Sequence, residues 1–230
     1  MKLVLFDIDG TLLLSDGAGR RAIHRALTEV FGATGPADYR FDGKTDPQIV
    51  RELMRLAGHE DARIDAGMRA LLDRYVSCLD EELAAPGHDL RPLPGVPQLL
   101  DALEARADIT LGLLTGNIEL GARAKLQAVG IDPRRFAVGA YGSDHEERPE
   151  LPAVARQRAR ERLGLAVEGN AMIVIGDTPA DLTCGQSLGA GAIGVATGRY
   201  SVVELEAYRP IAVFADLTDT TRVTNAILGA

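Results

Sequence analysis

Continuous apolar runs alternate along this chain with segments whose apolar residues return every third or fourth position. Behind Lys2 the run Leu3 to Phe6 is unbroken, the pattern of a strand covered on both faces, and it ends in a polar cluster from Asp7 to Thr11. Similar runs follow at Ile109 to Leu114, Ala171 to Ile175 and Ala192 to Ala196, with a weaker one at Ile211 to Phe214. Helical spacing appears at Pro97 to Arg106, Ile118 to Val129, Pro152 to Leu163 and Pro179 to Leu188, several of these opening on Pro or closing near Gly. The runs at Ala192 and Ile211 carry no helical pattern after them. Strands alternating with helices predict an α/β domain built on a doubly wound parallel sheet, Rossmann-like in plan.

One stretch breaks the alternation. Between about Asp16 and Leu90 lie three helix-like segments, Ala18 to Phe31, Asp46 to Ala57 and Asp65 to Leu83, and no convincing buried strand. Pro86, Gly87, Pro92, Pro94 and Gly95 mark its far boundary with helix breakers suited to a linker. The expected division is therefore a core of residues 1–15 and 91–230 with a smaller helical domain of residues 16–90 inserted.

Composition narrows the partners. The chain has 230 residues, of which 46% are hydrophobic, enough to bury a sizeable core. With 33 acidic against 25 basic residues its formal charge is -8, which repels nucleic acid and acidic membrane surfaces. No apolar run approaches membrane-spanning length and Leu3 to Phe6 is too short for a signal peptide, so a cytoplasmic protein is expected. Cys78 and Cys184 form no C-x-x-C pair, and His24, His59, His88 and His145 show no ligand spacing. The Arg-rich run Arg156 to Arg162 reads as the solvated face of a helix.

Candidate chemistry begins at Asp7-Ile8-Asp9-Gly10-Thr11, whose four specified positions would arise by chance in a chain this long on the order of a few times in a thousand. A side-chain period of two turns Asp7 and Asp9 to one side beyond the strand end and Phe6 and Ile8 to the other, aiming two carboxylates at one spot. At Leu113-Leu114-Thr115-Gly116-Asn117 a strand gives way to a helix, where backbone N–H groups and the helix dipole hold an anion; a simple helix cap is the competing reading. A third cluster, Gly176-Asp177-Thr178-Pro179-Ala180-Asp181, follows the run ending at Ile175.

These motifs resemble those of the haloacid dehalogenase superfamily of phosphatases, and the resemblance covers essentially the whole chain. It implies that Asp7 is the nucleophile, that Asp9 protonates the leaving oxygen and then activates water, and that an aspartyl phosphate lies between the two steps. An acidic residue at position 9 argues for phosphoryl transfer and against carbon–halogen chemistry. Thr115 is the implied phosphate ligand, with Gly10, Gly116 and Asn117 beside it. Mg2+ would rest on Asp7, the backbone carbonyl of Asp9, and Asp177. Asp181 has two readings, a partner behind the metal or a carboxylate favouring its own helix start after the N-cap Thr178.

The chain departs from the family at the usual catalytic Lys. Only Lys2, Lys44 and Lys125 exist, and none lies in the expected loop before the Pro152 helix. Arg148 does, and is either the replacement cation or an exposed surface residue. The insertion resembles the helical cap of phosphoglycolate phosphatase-like and phosphoglucomutase-like members, with Leu12 to Asp16 and Pro86 to Gly95 as hinges. The polar turn Arg40 to Asp46 is the candidate for substrate contact, where Lys44 either meets a second anionic group of the substrate or is solvated. The leading expectation is a Mg2+-dependent phosphatase acting on a small phosphorylated metabolite, as monomer or homodimer. Its rivals are a sugar-phosphate mutase and a phosphate-binding regulatory protein that has lost turnover.

Overall fold

The computed structural model describes residues 1–229. In chain order the elements are β1 (Lys2–Phe6), β2 (Leu13–Leu14), α1 (Ala18–Phe31), α2 (Asp46–Leu56), α3 (Asp61–Ala84), β3 (Arg91–Pro92), α4 (Val96–Glu104), β4 (Ile109–Thr115) and α5 (Glu119–Ala128). They continue with β5 (Val138–Tyr141), α6 (Leu151–Leu163), β6 (Met172–Gly176), α7 (Pro179–Cys184), β7 (Gly191–Val195), α8 (Val202–Glu206), β8 (Ala212–Phe214) and α9 (Thr220–Gly229).

Six strands form one parallel sheet in the order β5-β4-β1-β6-β7-β8. Strand β1 sits at the switch point, with β4 on one side and β6 on the other, and the crevice beyond the carboxyl ends is where such sheets bind ligands. The unbroken apolar run of β1 is explained by its two covers. Val4 and Phe6 pack into one cluster with Leu99, Leu103 and Leu126 of α4 and α5, while Leu3 and Leu5 pack into another with Leu151 and Ala155 of α6. All four β1 side chains are completely buried, and burial of a side chain this size contributes about 1.5 to 3 kcal/mol.

Helices α1 to α3 lie between β2 and β3 in the chain and share a third apolar cluster around Leu27, Leu53 and Tyr75, which Ile118 joins from the sheet side. Leu13 and Leu14 pair antiparallel with Pro92 and Arg91, so the two connectors of the insertion run as one short ribbon.

Several elements depart from the expectation. Helix α7 stops at Cys184 instead of reaching Leu188, because Gly185 interrupts it and a 3-10 turn carries Gln186–Leu188. Helices α8 and α9 do follow β7 and β8, where no helical pattern was expected; Ser201 and Glu204 start α8 with a capping box, and its five residues are too few to show a period. Strand β5, with Gly139 at its centre, is too short to stand out. Arg158 within the Arg-rich run is not simply solvated, since it donates to Asp144 Oδ2 at 2.6 Å and to the Gly139 carbonyl at 2.6 Å.

Candidate active site

The Asp7 N–H donates to the Ile175 carbonyl at 2.9 Å, prolonging the β1–β6 pairing one residue past the strand end. That bond sets the Asp7 carboxylate beside the loop carrying Asp177 and Asp181. Carboxylate oxygens of Asp7, Asp177 and Asp181 all lie within 4.8 Å of one another, and all three residues are buried. Two glycines make room for this approach. Gly10 has φ +81, and a Cβ there would stand 2.5 Å from Asp177 Oδ2; a Cβ at Gly198, in the loop after β7, would overlap the same oxygen. Thr197 ties that loop down, its hydroxyl donating to the Gly10 carbonyl at 2.6 Å.

Arg148 is buried as well and faces the cluster, with Nη2 at 3.1 Å from Asp7 Oδ1 and in an ion pair with Asp181 Oδ1. Its Nε is buried without a hydrogen-bond partner among the described residues. Of the two readings of Arg148, the exposed surface residue is thereby excluded. Asp181 also receives the Thr178 N–H at 3.0 Å and the Thr178 hydroxyl at 2.6 Å on Oδ2, and Thr178 completes the capping box of α7. Both carboxylate oxygens are thus engaged, orienting Arg148 and starting the helix at once.

One guanidinium does not balance three buried carboxylates. Burial pushes the Asp7 carboxyl up to about 6 despite Arg148, with Asp181 and Asp9 adding to the rise. Burial, then Asp181 and Asp7, raises Asp177 well above the usual carboxylate range, against a bond from the Thr11 hydroxyl. Oxygen donors crowded in this way suit a hard divalent cation, which would reverse both shifts.

Asp9 lives in the opposite environment. Its Oδ1 accepts from Ser15 Oγ at 2.8 Å, and its Oδ2 from Asn117 Nδ2 at 2.8 Å and Lys125 Nζ at 2.6 Å. Burial alone would raise its pKa, but Lys125, Asn117 and Ser15 together bring it below the ordinary value. Thr115 is fully buried at the tip of β4, and its oxygen accepts both the Asn117 side-chain N–H at 2.8 Å and the Asn117 backbone N–H at 3.3 Å, leaving its own proton to donate. Asn117 was expected to touch phosphate. Its side-chain amide links Thr115, Asp9 and Lys125, whose Nζ donates to Asn117 Oδ1 at 2.6 Å.

The helical insertion closes over this ground. The Asp46 N–H donates to the Gly116 carbonyl at 2.8 Å, while the Asp46 carboxylate accepts the Ile118 N–H at 2.9 Å and so covers the start of α5. Thr45 Oγ1 donates to the Glu146 carbonyl at 2.6 Å, and Arg51 Nε meets Glu146 Oε1 at 2.7 Å. Gly43 fits against the core because a Cβ there would come 2.6 Å from Ala180 Cβ. Between insertion and core remains a cavity of about 280 Å³ lined by Asp7, Asp9, Lys125, Arg148, Ile23 and Phe41 among others. Lys44 borders this cavity, yet its ammonium pairs with Glu52 and with the Tyr39 hydroxyl inside the insertion.

The model of the haloacid dehalogenase-like hydrolases matches residues 1–189. The chain belongs to that family. A phosphoglycolate phosphatase of Rhodospirillum rubrum is 30% identical over 94% of this chain and 87% of its own. A 5'-nucleotidase of Pseudomonas aeruginosa is 28% identical over 97% of this chain and 95% of its own. The crystal structure of a predicted phosphoglycolate phosphatase from Haemophilus somnus shares the fold, with a TM-score of 0.71 and 23% identity over 97% of this chain and 98% of that one. The chain is an enzyme, a hydrolase with phosphatases among its relatives, and among the described residues no helix is long and apolar enough to cross a membrane.

Sequence reasoning missed Lys125, Ser15, Thr197 and Gly198 in this haloacid dehalogenase-like hydrolase, and gave Asp46 only as part of a turn facing the substrate. Lys125 alone left a usable signal: it falls on the buried stripe of α5 with Gly121, Ala122 and Leu126, a place where Lys is rarely left without a partner.

Proposed function

We propose that this family member hydrolyses a small phosphorylated metabolite, phosphoglycolate-like or a sugar phosphate, with Mg2+ and through a phosphoryl group carried on Asp7. The observation that carries the reading is the buried group Asp7, Asp177 and Asp181 with Arg148 set against two of its members. Asp7 and Asp177, with the Asp9 backbone carbonyl, would hold the metal, which when bound offsets charge on the phosphoryl oxygens and lets two anions meet.

Each remaining part has its own source in the chain. Arg148 holds Asp7 by one oxygen and keeps a positive charge at any working pH. The Thr115 proton and the Gly116 N–H donate to phosphoryl oxygens. Asp7 attacks phosphorus as the ester bond to the leaving oxygen breaks, and that oxygen takes its proton from Asp9, which holds one in the complex because the phosphate anion beside it opposes the Lys125 charge. Asp9 then removes a proton from water as the water opens the aspartyl phosphate, regenerating Asp7. Residues 16–90 act as a cap that excludes bulk water, the paired connectors serving as its hinge.

A cavity of about 280 Å³ between insertion and core favours a small leaving group. The place of Arg148 on Asp7 supports turnover over a protein that only binds phosphate, since a cation stands beside the nucleophile although the usual Lys is absent. The test is a panel of phosphomonoesters assayed for phosphate release with Mg2+ and with EDTA. Release from small metabolites that stops in EDTA is expected, and sugar-phosphate isomerisation without release would favour a mutase instead.

A further inference from the structure

Lys125 is 4% exposed and rises from a helix face otherwise made of Gly121, Ala122 and Leu126. Burying an ammonium there is costly unless its hydrogens are placed, and two of them are, on Asp9 Oδ2 and on Asn117 Oδ1, each at 2.6 Å. Gly19 of α1 comes so close that a Cβ on it would stand 3.1 Å from Nζ, so the insertion seals the ammonium in. The Asp9 side chain nevertheless stays 38% exposed and borders the cavity. Three donors from three parts of the chain, Ser15, Asn117 and Lys125, therefore clamp the carboxylate while leaving it open to a ligand.

From this geometry we infer that Lys125 is a positioning residue for Asp9, fixing its carboxylate where the leaving oxygen of the substrate departs once the insertion has closed. The inference rests on Asp9 being the acid and base of the proposed hydrolysis. Lys125 itself touches no reacting atom. Its effect on the first step must follow the leaving group, because an alkoxide needs a proton to depart whereas p-nitrophenolate leaves as a stable anion; water attack on the aspartyl phosphate is common to both.

The experiment compares wild type with Lys125→Met, which keeps the length of the stem and removes the charge, on phosphoglycolate and on p-nitrophenyl phosphate. Each preparation is assayed on both esters, so the ratio of the two rates does not depend on how much of the variant is folded. A fall of about 10²-fold or more in the single-turnover rate at which the leaving group is released from phosphoglycolate, against less than about 10-fold from p-nitrophenyl phosphate, is expected from a displaced general acid. Asp9→Asn should show the same split, and adding Lys125→Met to it should change the ratio no further. Equal losses on both esters would overturn the positioning role while leaving the phosphatase reading intact. Wild-type protein that released phosphate from neither ester nor from any other member of the phosphomonoester panel would overturn that reading and this inference with it.

Discussion

Arg148 Nη2 stands 3.1 Å from Asp7 Oδ1, with both residues buried and the same guanidinium paired to Asp181. One nitrogen, Nη2, meets both carboxylates at the far end of the Arg side chain, and the shorter Lys stem would hold its ammonium back from them, even where the family's usual cation is Lys. Arg148→Lys should therefore fold and lose about 10²-fold in kcat. Arg148→Ala, which leaves Asp7 and Asp181 buried without their cation, should also lose about 3 to 5 kcal/mol of stability in urea unfolding at neutral pH. Arg148→Ala with wild-type stability would show that the pair contributes nothing to the fold.

The glycine at position 198 has no chemistry, yet a side chain there would overlap the Asp177 carboxylate. Gly198→Ala should push that carboxylate from its place and raise the Mg2+ concentration giving half-maximal activity by about tenfold or more, with maximal activity partly recovered at saturation. A metal titration of phosphate release decides it. An unchanged midpoint would remove Asp177 from the metal site.

Much of this arrangement was legible in the sequence, and what was not has physical causes. The run from Leu3 to Phe6 and the alternation of Asp7 with Ile8 and Asp9 gave strand, burial and direction together, because a strand fixes its side chains by a period of two. Helix α1 was expected at the residues where it lies, Ala18–Phe31. Strand β5 and helix α8 were not foreseen, since four and five residues hold too little pattern and take their shape from neighbours. Lys125 was passed over because it lies 116 positions from Asp9 in the chain. Only the packing of α5 against β1 and the insertion brings the two together.

Asp46 offers a pH test away from the metal carboxylates. Burial raises its carboxyl from 3.8 to about 6, with Lys125 and the Ile118 N–H opposing the rise. Because the folded value is the higher one, the protonated form is favoured by folding. Its stabilisation is complete below the unfolded value and is lost as pH rises through about 6. The shift of about two units corresponds to roughly 3 kcal/mol. Denaturant unfolding of Asp46→Asn and wild type at about pH 4 and about pH 7 should show the variant gaining on wild type by that order at the higher pH. A difference independent of pH would mean that Asp46 is charged in the fold without penalty.

The central claim is that Asp7 carries the phosphoryl group, and the direct measurement is borohydride reduction of the enzyme during turnover, followed by peptide mass spectrometry. An aspartyl phosphate is reduced to homoserine, so homoserine at position 7 is expected. With p-nitrophenyl phosphate, whose leaving group needs no proton, more of it should accumulate in Asp9→Asn, whose water attack is slowed, and none in Asp7→Asn, whose activity should fall at least about 10³-fold. An unmodified Asp7 in protein that is releasing phosphate, or full activity in Asp7→Asn, would contradict the account.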